Sequence, residues 1–269
     1  MSSPDEPAAV TLDVWYTLLY QTAAERRAYE AARRAAWVVP LEAAGVGPAR
    51  AEAAVTSLVR EAKRREALGH SFTVRDQGRW LARRLAVSFD ARSASRALDR
   101  AVDSVACEVA PGALEMIDRL RGAGTRLALV SNILYENPRP VRRLLRRVGL
   151  VPTISVTVLS CEVGSAKPSP RPIAIALERL RVPPAGTLHI GDRPGDIESA
   201  WRAGAGAAHF SGLRRVWPAA HGRTIPPPWD RAPVLNAWRR LTARSVGPLW
   251  RNARAALPPA SGLPSYGSA

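Results

Sequence analysis

The second half of the sequence alternates between short apolar segments and longer amphipathic ones, and this alternation limits the chain to few folds. Residues 111–124 begin with proline, end with glycine and carry Leu114, Ile117 and Leu120 at helical spacing, which predicts a helix packed on a sheet. Strands that alternate with helices predict a parallel sheet with right-handed crossovers. The predicted fold class is α/β, with a Rossmann-like parallel sheet core. The predicted strands are 9–14, 125–132, 153–160, 187–190 and 206–211, with helices at 111–124, 139–150, 169–182 and 196–205.

A helical block separates the first strand from the rest of this sheet. Residues 22–108 are rich in alanine, arginine, leucine and glutamate and hold no comparable strand pattern. We predict about four helices there, with breaks at 40–50 and 68–77. This block is called the helical insertion below. The predicted domains are an α/β core at 1–21 and 109–242, the all-helical domain at 22–108, and a basic, partly flexible tail at 243–269.

Composition narrows the class of protein. Hydrophobic residues make up 46% of the chain and charged residues 23%, without an apolar run long enough to span a membrane. The first residues lack the basic and apolar regions of a secretory signal. Cys107 and Cys161 show no metal-ligand spacing, which favours unpaired thiols in a reducing compartment. We therefore expect a cytoplasmic protein with no membrane partner.

The formal net charge of +16 raises the question of a nucleic-acid partner. Lys63 and Lys167 are the only lysines among 39 basic residues, so the other 37 are arginine. This skew, with abundant alanine, proline and glycine, is typical of coding bias on a solvated surface, and we do not expect nucleic acid as a partner. The basic C-terminal segment also carries tryptophan, and it leaves a protein partner open.

Small sets of polar residues follow the predicted strands. The carboxyl ends of parallel strands meet in one crevice, where ligands of open α/β sheets bind. A single carboxylate after a strand is commonly a helix cap, but four sets in order are hard to obtain by chance. We therefore predict that these residues converge on one site. They are Asp13 with Thr17, Ser131 with Asn132, Lys167, and Asp192 with Asp196.

The predicted cluster holds three carboxylates, a hydroxyl group and one ammonium group. Carboxylates that lie close together raise each other's pKa unless a cation sits among them, and Mg²⁺ prefers such oxygen ligands. The lysine and the hydroxyl suit a bound anion, and a central aspartate can attack phosphorus. The pattern favours Mg²⁺-assisted phosphoryl chemistry on a small anionic substrate.

These motifs resemble those of the haloacid dehalogenase (HAD) superfamily. "LDVWYTLL" is similar to its first motif, "LALVSN" to its second, Lys167 in "SAKPSP" to its third and "HIGDRPGDIESAWRAGA" to its fourth. The resemblance covers residues 10–17 and 111–211. It implies that the helical insertion is the smaller helical cap of this family.

The resemblance implies a role for each matched residue. Asp13 would be the nucleophile, forming an aspartyl-phosphate intermediate, and Thr17 would fix its loop. Ser131 would bind the phosphoryl oxygens beside Asn132 in the substrate region, and Lys167 would hold the nucleophile and offset developing charge. The implied Mg²⁺ ligands are Asp13, the backbone carbonyl of Trp15, Asp192, and Asp196 directly or through water.

The first motif departs from the family pattern at two positions. Trp15 stands where most phosphatases of the family have a second aspartate, the general acid and base, and its side chain cannot transfer protons. Such help is worth about 10²–10⁴-fold in rate. We expect either a good leaving group or a substitute from the insertion, such as His70 or Asp76. Tyr16 replaces the usual glycine, so the geometry of the loop is an open question.

Three functions stay open from the sequence. A Mg²⁺-dependent phosphohydrolase or phosphotransferase is favoured, because Asp192 and Asp196 would be unfavourable beside an attacking aspartate without a metal. A 2-haloacid dehalogenase is the first alternative, since those enzymes place an aromatic residue at the position of Trp15. A HAD-fold protein repurposed for binding is the second. Substrate choice is expected to depend on the helical insertion. Its Arg75, Arg79 and Arg83 could supply anion contacts, although exposed, solvated arginines are the default interpretation.

Overall fold

The computed structural model describes residues 7–151 and 153–210. The predicted tail at 243–269, with its proposed protein-binding surface, lies outside the described residues, as does 211–242 of the predicted core. Within the described part of the chain, no helix is long and apolar enough to cross a membrane.

A five-stranded parallel sheet forms the centre of the molecule and confirms the predicted α/β class. The strands are β1 Ala9–Leu12, β2 Leu19–Tyr20, β3 Glu108–Val109, β4 Arg126–Ser131, β5 Val156–Leu159, β6 Thr187–Gly191 and β7 Gly206–His209. The strand order of the sheet is β5-β4-β1-β6-β7, and a separate two-stranded ladder joins β2 to β3.

Helices cover both faces of this sheet. Apolar side chains of its buried strands alternate between the two faces, so each face needs a layer of helices to exclude water. On one face, Leu127 and Leu129 pack in the cluster that also holds Ile117 and Leu144. On the other face, Val130 belongs to the cluster that surrounds the helices after residue 170. The helices are α1 Ala23–Ala43, α2 Pro48–Ala67, α3 Val74–Leu85, α4 Ala91–Asp103, α5 Ala113–Gly122, α6 Pro138–Arg147, α7 Ser160–Val163, α8 Arg171–Leu180 and α9 Pro194–Arg202.

The direction of winding reverses at β1. The chain proceeds from β4 to β5 on one side of β1, whereas β6 and β7 lie on its other side. Such a reversal leaves a crevice beyond the carboxyl ends of the central strands. The residues that follow β1, β4 and β6 therefore border the same space.

Helices α1–α4 lie between β2 and β3 in the sequence and form a hydrophobic cluster of their own, around Trp37, Leu58 and Leu81. A capping box begins α1, in which Thr22 and Glu25 exchange side-chain to backbone hydrogen bonds. The domain boundaries of the insertion stay a prediction.

The predicted break at 40–50 is confirmed, because α1 ends at Ala43 and α2 begins at Pro48, although α1 continues through Pro40. Pro40 removes one backbone donor from the last turn. Burial of Trp37 and Leu41 on either side keeps that turn against the insertion's core.

Arginines of α6 join the helical insertion to the core. Arg143 forms an ion pair with Asp103 at the end of α4, at 2.7 Å between Nη2 and Oδ2. Arg147 donates from Nη2 to the carbonyl of Val105 at 2.8 Å. These contacts lie on the segment that leads from the insertion back to the sheet, so they help to fix its orientation.

Helix α5 contains a matched pair of leucines that tests the core assignment. Leu120 is 6% exposed, whereas Leu114 is 40% exposed, so helical spacing with Ile117 does not by itself place Leu114 in the core. Leu120→Ala should lower the free energy of unfolding by about 2–5 kcal/mol through lost burial and a cavity. Leu114→Ala should change it by less than about 1 kcal/mol. Urea unfolding of both variants measures the difference, and equal losses would contradict this packing.

Candidate active site

The loop after β1 turns sharply and fixes Asp13 at the edge of the sheet. The amide of Asp13 donates to the Ile190 carbonyl at 2.9 Å, which holds it beside β6. The amides of Leu18 and Leu19 both donate to the Val14 carbonyl, at 2.9 and 2.8 Å. The side chain of Asp13 is therefore presented from a short, closed turn, and it is 7% exposed.

Tyr16 adopts the left-handed backbone conformation that a glycine would adopt at low cost, with φ of 61°. Its amide donates to the Leu19 carbonyl at 2.7 Å, and its half-buried ring packs against the main core. The turn therefore forms despite the missing glycine. Burial raises the pKa of the Tyr16 phenol.

Lys167 lies between two carboxylates at the centre of the site. Its Nζ is 2.6 Å from Asp13 Oδ1 and 2.6 Å from Asp196 Oδ1, and it donates to the Val130 carbonyl at 2.8 Å. The side chain is 2% exposed. One buried ammonium group therefore connects the ends of β1 and β4 with the start of α9.

Asp196 folds back over the end of β6 because Gly191 has no side chain. A Cβ at Gly191 would lie 2.4 Å from Asp196 Cγ. With that space open, Asp196 Oδ2 accepts from the Arg193 amide at 2.8 Å, in the reciprocal pattern that caps α9. The predicted metal ligand is thus also the capping residue of its helix.

Three carboxylates meet here. Asp13, Asp192 and Asp196 each place an oxygen within 4.8 Å of the others, and all three are buried. Burial raises the pKa of Asp13 to about 7, with Lys167 opposing and the other two carboxylates adding to the rise. For Asp196, burial also raises the pKa, but Lys167 and His189 outweigh it and hold the pKa well below its ordinary value.

His189 supports Asp196 from the middle of the sheet. Its Nδ1 is 2.8 Å from Thr11 Oγ1 on β1, and its Nε2 is 3.7 Å from Asp196 Oδ1. The ring is fully buried, and burial lowers its pKa. His189 was not predicted as a site residue from the sequence. A histidine inside the apolar strand "TLHI", directly before "GD", could have indicated it.

The remaining predicted residues lie around this centre. Thr17 Oγ1 donates to Asp13 Oδ2 at 3.4 Å. Ser131 Oγ is buried and has no hydrogen-bond partner among residues 7–151 and 153–210, so it is available to a ligand. Asn132 accepts from the Lys167 amide and donates to the Lys167 carbonyl, both at 2.9 Å. Trp15 is half-buried against the main core, and its carbonyl accepts none of the hydrogen bonds that define the turn.

The residues suggested from the insertion make no side-chain contact with the carboxylate centre in the described part of the chain, although the backbone of His70 pairs with Ser165. His70 is exposed, and Asp76 accepts from Thr73 Oγ1 at 2.6 Å in the first turn of α3 and lies 3.8 Å from Arg79. Arg75, Arg79 and Arg83 are also exposed. The structure instead brings Glu66, at the end of α2, to the site: its Oε1 accepts from Asn132 Nδ2 at 2.9 Å and from Arg193 Nη1 at 3.0 Å. Glu66 stands in an arginine-rich helical run, and only its burial sets it apart from solvated glutamates.

The fold and site together define an α/β enzyme with its candidate active site at the switch point of the sheet. The family model for "haloacid dehalogenase-like hydrolase" matches residues 7–204. The chain therefore belongs to the haloacid dehalogenase-like hydrolases, as the motifs predicted.

Phosphoglycolate phosphatases are among the curated relatives. Those of Rhodospirillum rubrum and Aquifex aeolicus are 34% identical over 96 residues and 36% identical over 92 residues. These matches cover 36% and 34% of this chain, and 39% and 42% of the relatives. The chain thus spans only about two fifths of the curated relatives' length.

Solved structures with the same fold include enzymes of both chemical types. The HAD phosphatase from Thermococcus onnurineus aligns with a TM-score of 0.55 at 18% identity, over 87% of this chain and 97% of that one. The L-2-haloacid dehalogenase from Xanthobacter autotrophicus aligns with a TM-score of 0.51 at 18% identity, over 88% and 98%. At this identity the likeness shows the fold alone.

Removal of the Lys167 ammonium should expose the repulsion between the carboxylates. In Lys167→Met the pKa values of Asp13 and Asp196 should lie above those of the unfolded chain, so the folded variant keeps protons that the unfolded chain releases. Its free energy of unfolding should then fall, relative to wild type, as the pH rises from about 5 to about 8. The loss near pH 8 should be roughly 3–5 kcal/mol.

Urea unfolding in the presence of a chelator at the two pH values measures this effect. Lys63→Met removes the other, exposed lysine and should leave stability almost unchanged at both. A loss in Lys167→Met that is the same at both pH values would contradict the electrostatic explanation.

A methyl group at Gly191 should displace Asp196. Gly191→Ala should weaken both the Lys167–Asp196 pair and the hydrogen bond from the Arg193 amide, and lower thermal stability by several degrees, which corresponds to about 1–3 kcal/mol. Gly122→Ala is the matched control, since a Cβ there would have no atom from outside its own helix and chain neighbours within 4 Å among residues 7–151 and 153–210. Calorimetry compares the melting temperatures of the two variants. A Gly191→Ala variant that melts at the wild-type temperature would show that Asp196 can lie elsewhere without loss of stability.

Proposed function

We propose that this protein is a Mg²⁺-dependent phosphohydrolase that acts on a small phosphorylated metabolite through an aspartyl-phosphate intermediate on Asp13. The observation that carries the proposal is the charge balance of the buried centre. Asp13, Asp192 and Asp196 hold oxygens within 4.8 Å of one another, and the one ammonium group among them, that of Lys167, pairs with Asp13 and Asp196. Such a cluster favours a divalent cation bound by oxygen ligands.

The donor set fits Mg²⁺. Without a metal, burial and the neighbouring carboxylates raise the pKa of Asp13 to about 7, which works against a nucleophile at neutral pH. Asp13, Asp192 and Asp196 would hold the ion, and the Trp15 carbonyl, which is not used by its own turn, would add a further oxygen. When bound, Mg²⁺ supplies charge stabilisation to the phosphoryl group and favours the ionised form of Asp13.

The protein's own residues suit an in-line attack on phosphorus. Asp13 attacks through a carboxylate oxygen, the bond from phosphorus to the leaving oxygen breaks, and Asp13 becomes phosphorylated. Lys167 Nζ lies 2.6 Å from Asp13 and offsets negative charge on the transferring group. The buried hydroxyl of Ser131, with no other partner in the described residues, is suited to donate to a phosphoryl oxygen. Water then attacks phosphorus and restores the Asp13 carboxylate.

The relatives support a phosphatase, and their name suggests phosphoglycolate as one substrate to test. Burial of the site beneath the insertion suits a small anionic molecule, which approaches a strongly basic protein with favourable electrostatics. A cytoplasmic location, and a protein partner for the C-terminal segment, stay predictions.

Dehalogenation is the second candidate, and Trp15 is the observation that favours it. An aromatic residue next to the nucleophile suits carbon–halogen cleavage, where the leaving halide needs no proton. Asp192 and Asp196 argue against dehalogenation. Both are buried at the centre of the site, and displacement of a halide would not require them. A binding protein that has lost activity is less consistent with the intact contact of Lys167 with Asp13.

The proposed function predicts metal-dependent hydrolysis. Purified protein with Mg²⁺ should hydrolyse 4-nitrophenyl phosphate, acetyl phosphate or 2-phosphoglycolate, and chelation should abolish the activity. Asp13→Asn should reduce it to the background rate because the amide cannot attack phosphorus. A colorimetric phosphate assay measures both effects.

Two outcomes would contradict the proposal. If neither the wild type nor Trp15→Asp hydrolyses any of these phosphate compounds, the proposed phosphohydrolase activity is wrong. Release of chloride from 2-chloropropionate without added metal would establish the dehalogenase instead.

A further inference from the structure

The turn that carries Asp13 offers no carboxylate for proton transfer. Trp15 occupies the second position after Asp13, and its indole can only donate a hydrogen bond. A phosphohydrolase of this type needs a group that protonates the leaving oxygen and later accepts a proton from water. The group must then come from another element bordering the crevice.

Glu66 is a carboxylate of the helical insertion that reaches the ends of two central strands. Its side chain is 11% exposed. Asn132, just beyond β4, donates to it at 2.9 Å, and Arg193, just after Asp192, donates to it at 3.0 Å. The insertion thus places a single buried carboxylate across the crevice from one strand end to the other.

Glu66 is linked to the nucleophile through two intervening residues, Asn132 and Lys167. Asn132 binds both Glu66 and the backbone of Lys167, and the Lys167 ammonium lies 2.6 Å from Asp13. Arg193 is a second link between Glu66 and the site. Its guanidinium donates to Glu66 at 3.0 Å, and its backbone amide donates to Asp196 Oδ2 at 2.8 Å. The same residue therefore contacts both Glu66 and the carboxylate centre.

The two hydrogen bonds use only one oxygen of Glu66. Both Asn132 and Arg193 donate to Oε1, while Oε2 accepts no hydrogen bond in the described part of the chain. The anchored oxygen fixes the orientation of the carboxylate, and the second oxygen is available to exchange a proton. The alternatives from the insertion lack this arrangement, since the side chain of His70 is exposed and that of Asp76 accepts from Thr73, the N-cap of α3.

We propose that Glu66 is the general acid and base of this site, supplying from the helical insertion the carboxylate that the chain lacks at position 15. This inference rests on the proposed phosphohydrolase. In the first half-reaction, Asp13 bonds to phosphorus, the bond to the leaving oxygen breaks, and that oxygen takes a proton from the Glu66 carboxyl group. In the second, water bonds to phosphorus, Glu66 takes a proton from it, and the electron pair of the broken P–O bond returns to Asp13.

Rapid-mixing kinetics with 4-nitrophenyl phosphate separates the two half-reactions. The 4-nitrophenolate leaving group needs no proton, so Glu66→Gln should keep its first-turnover burst within about threefold of wild type. Its steady-state rate should fall by about 10²–10⁴-fold, because water attack loses its base. Glutamine keeps an oxygen that can accept from Asn132 and Arg193, so the local packing is retained.

Two controls define the role. Glu61→Gln changes a glutamate of the same helix that pairs with Arg64 and Arg65 outside the site, and should keep both phases. Trp15→Asp in the Glu66→Gln background should restore at least part of the steady-state rate, whereas a structural role for Glu66 predicts no rescue.

Each outcome decides the question. Steady-state turnover of Glu66→Gln within threefold of wild type, or an equal fall of burst and steady state without rescue by Trp15→Asp, would overturn the role of Glu66 and leave the proposed function intact. If the wild-type protein shows no Asp13-dependent turnover, the proposed function itself is overturned, and the role of Glu66 with it.

Discussion

The contact of one ammonium group with two carboxylates organises this molecule. Lys167 holds Asp13 and Asp196 at 2.6 Å each, and all three are nearly excluded from water. Buried charges are tolerated only when they are paired and hydrogen-bonded. The ends of the central strands and the start of α9 must therefore meet at one place. The same contact leaves the cluster short of positive charge, which is the physical basis for the proposed cation.

The topology of the sheet makes this contact possible. Strand β1 lies between β4 and β6, so residues far apart in sequence follow neighbouring strands. Hydrogen bonding fixes their register, as in the pairing of Leu12 with both Leu129 and Ile190. The helical insertion reaches the crevice through Glu66, which contacts Asn132 and Arg193, and the arginines of α6 bind the end of α4 elsewhere.

Sequence reasoning works well where periodicity and strand ends carry the information. The parallel sheet follows from the alternation after Pro111, and the convergence of Asp13 and Lys167 follows from the geometry of parallel strands. It fails where a residue's environment comes from distant segments. Glu66 is surrounded by arginine in sequence, and only the docking of α2 beside Asn132 buries it. Leu114 has helical spacing with Ile117, yet its position at the start of α5 leaves it at the rim of the core.

The small ladder of β2 and β3 determines how the helical insertion is attached to the sheet. Leu19 pairs with Val109, and Tyr20 pairs with Glu108, so the chain enters and leaves the insertion at adjacent positions. Paired strands lie about 4.8 Å apart, a gap that a tight turn can close. The insertion therefore begins and ends at neighbouring positions. A change in its length need not alter the separation of these two strands or the register of the sheet beneath them.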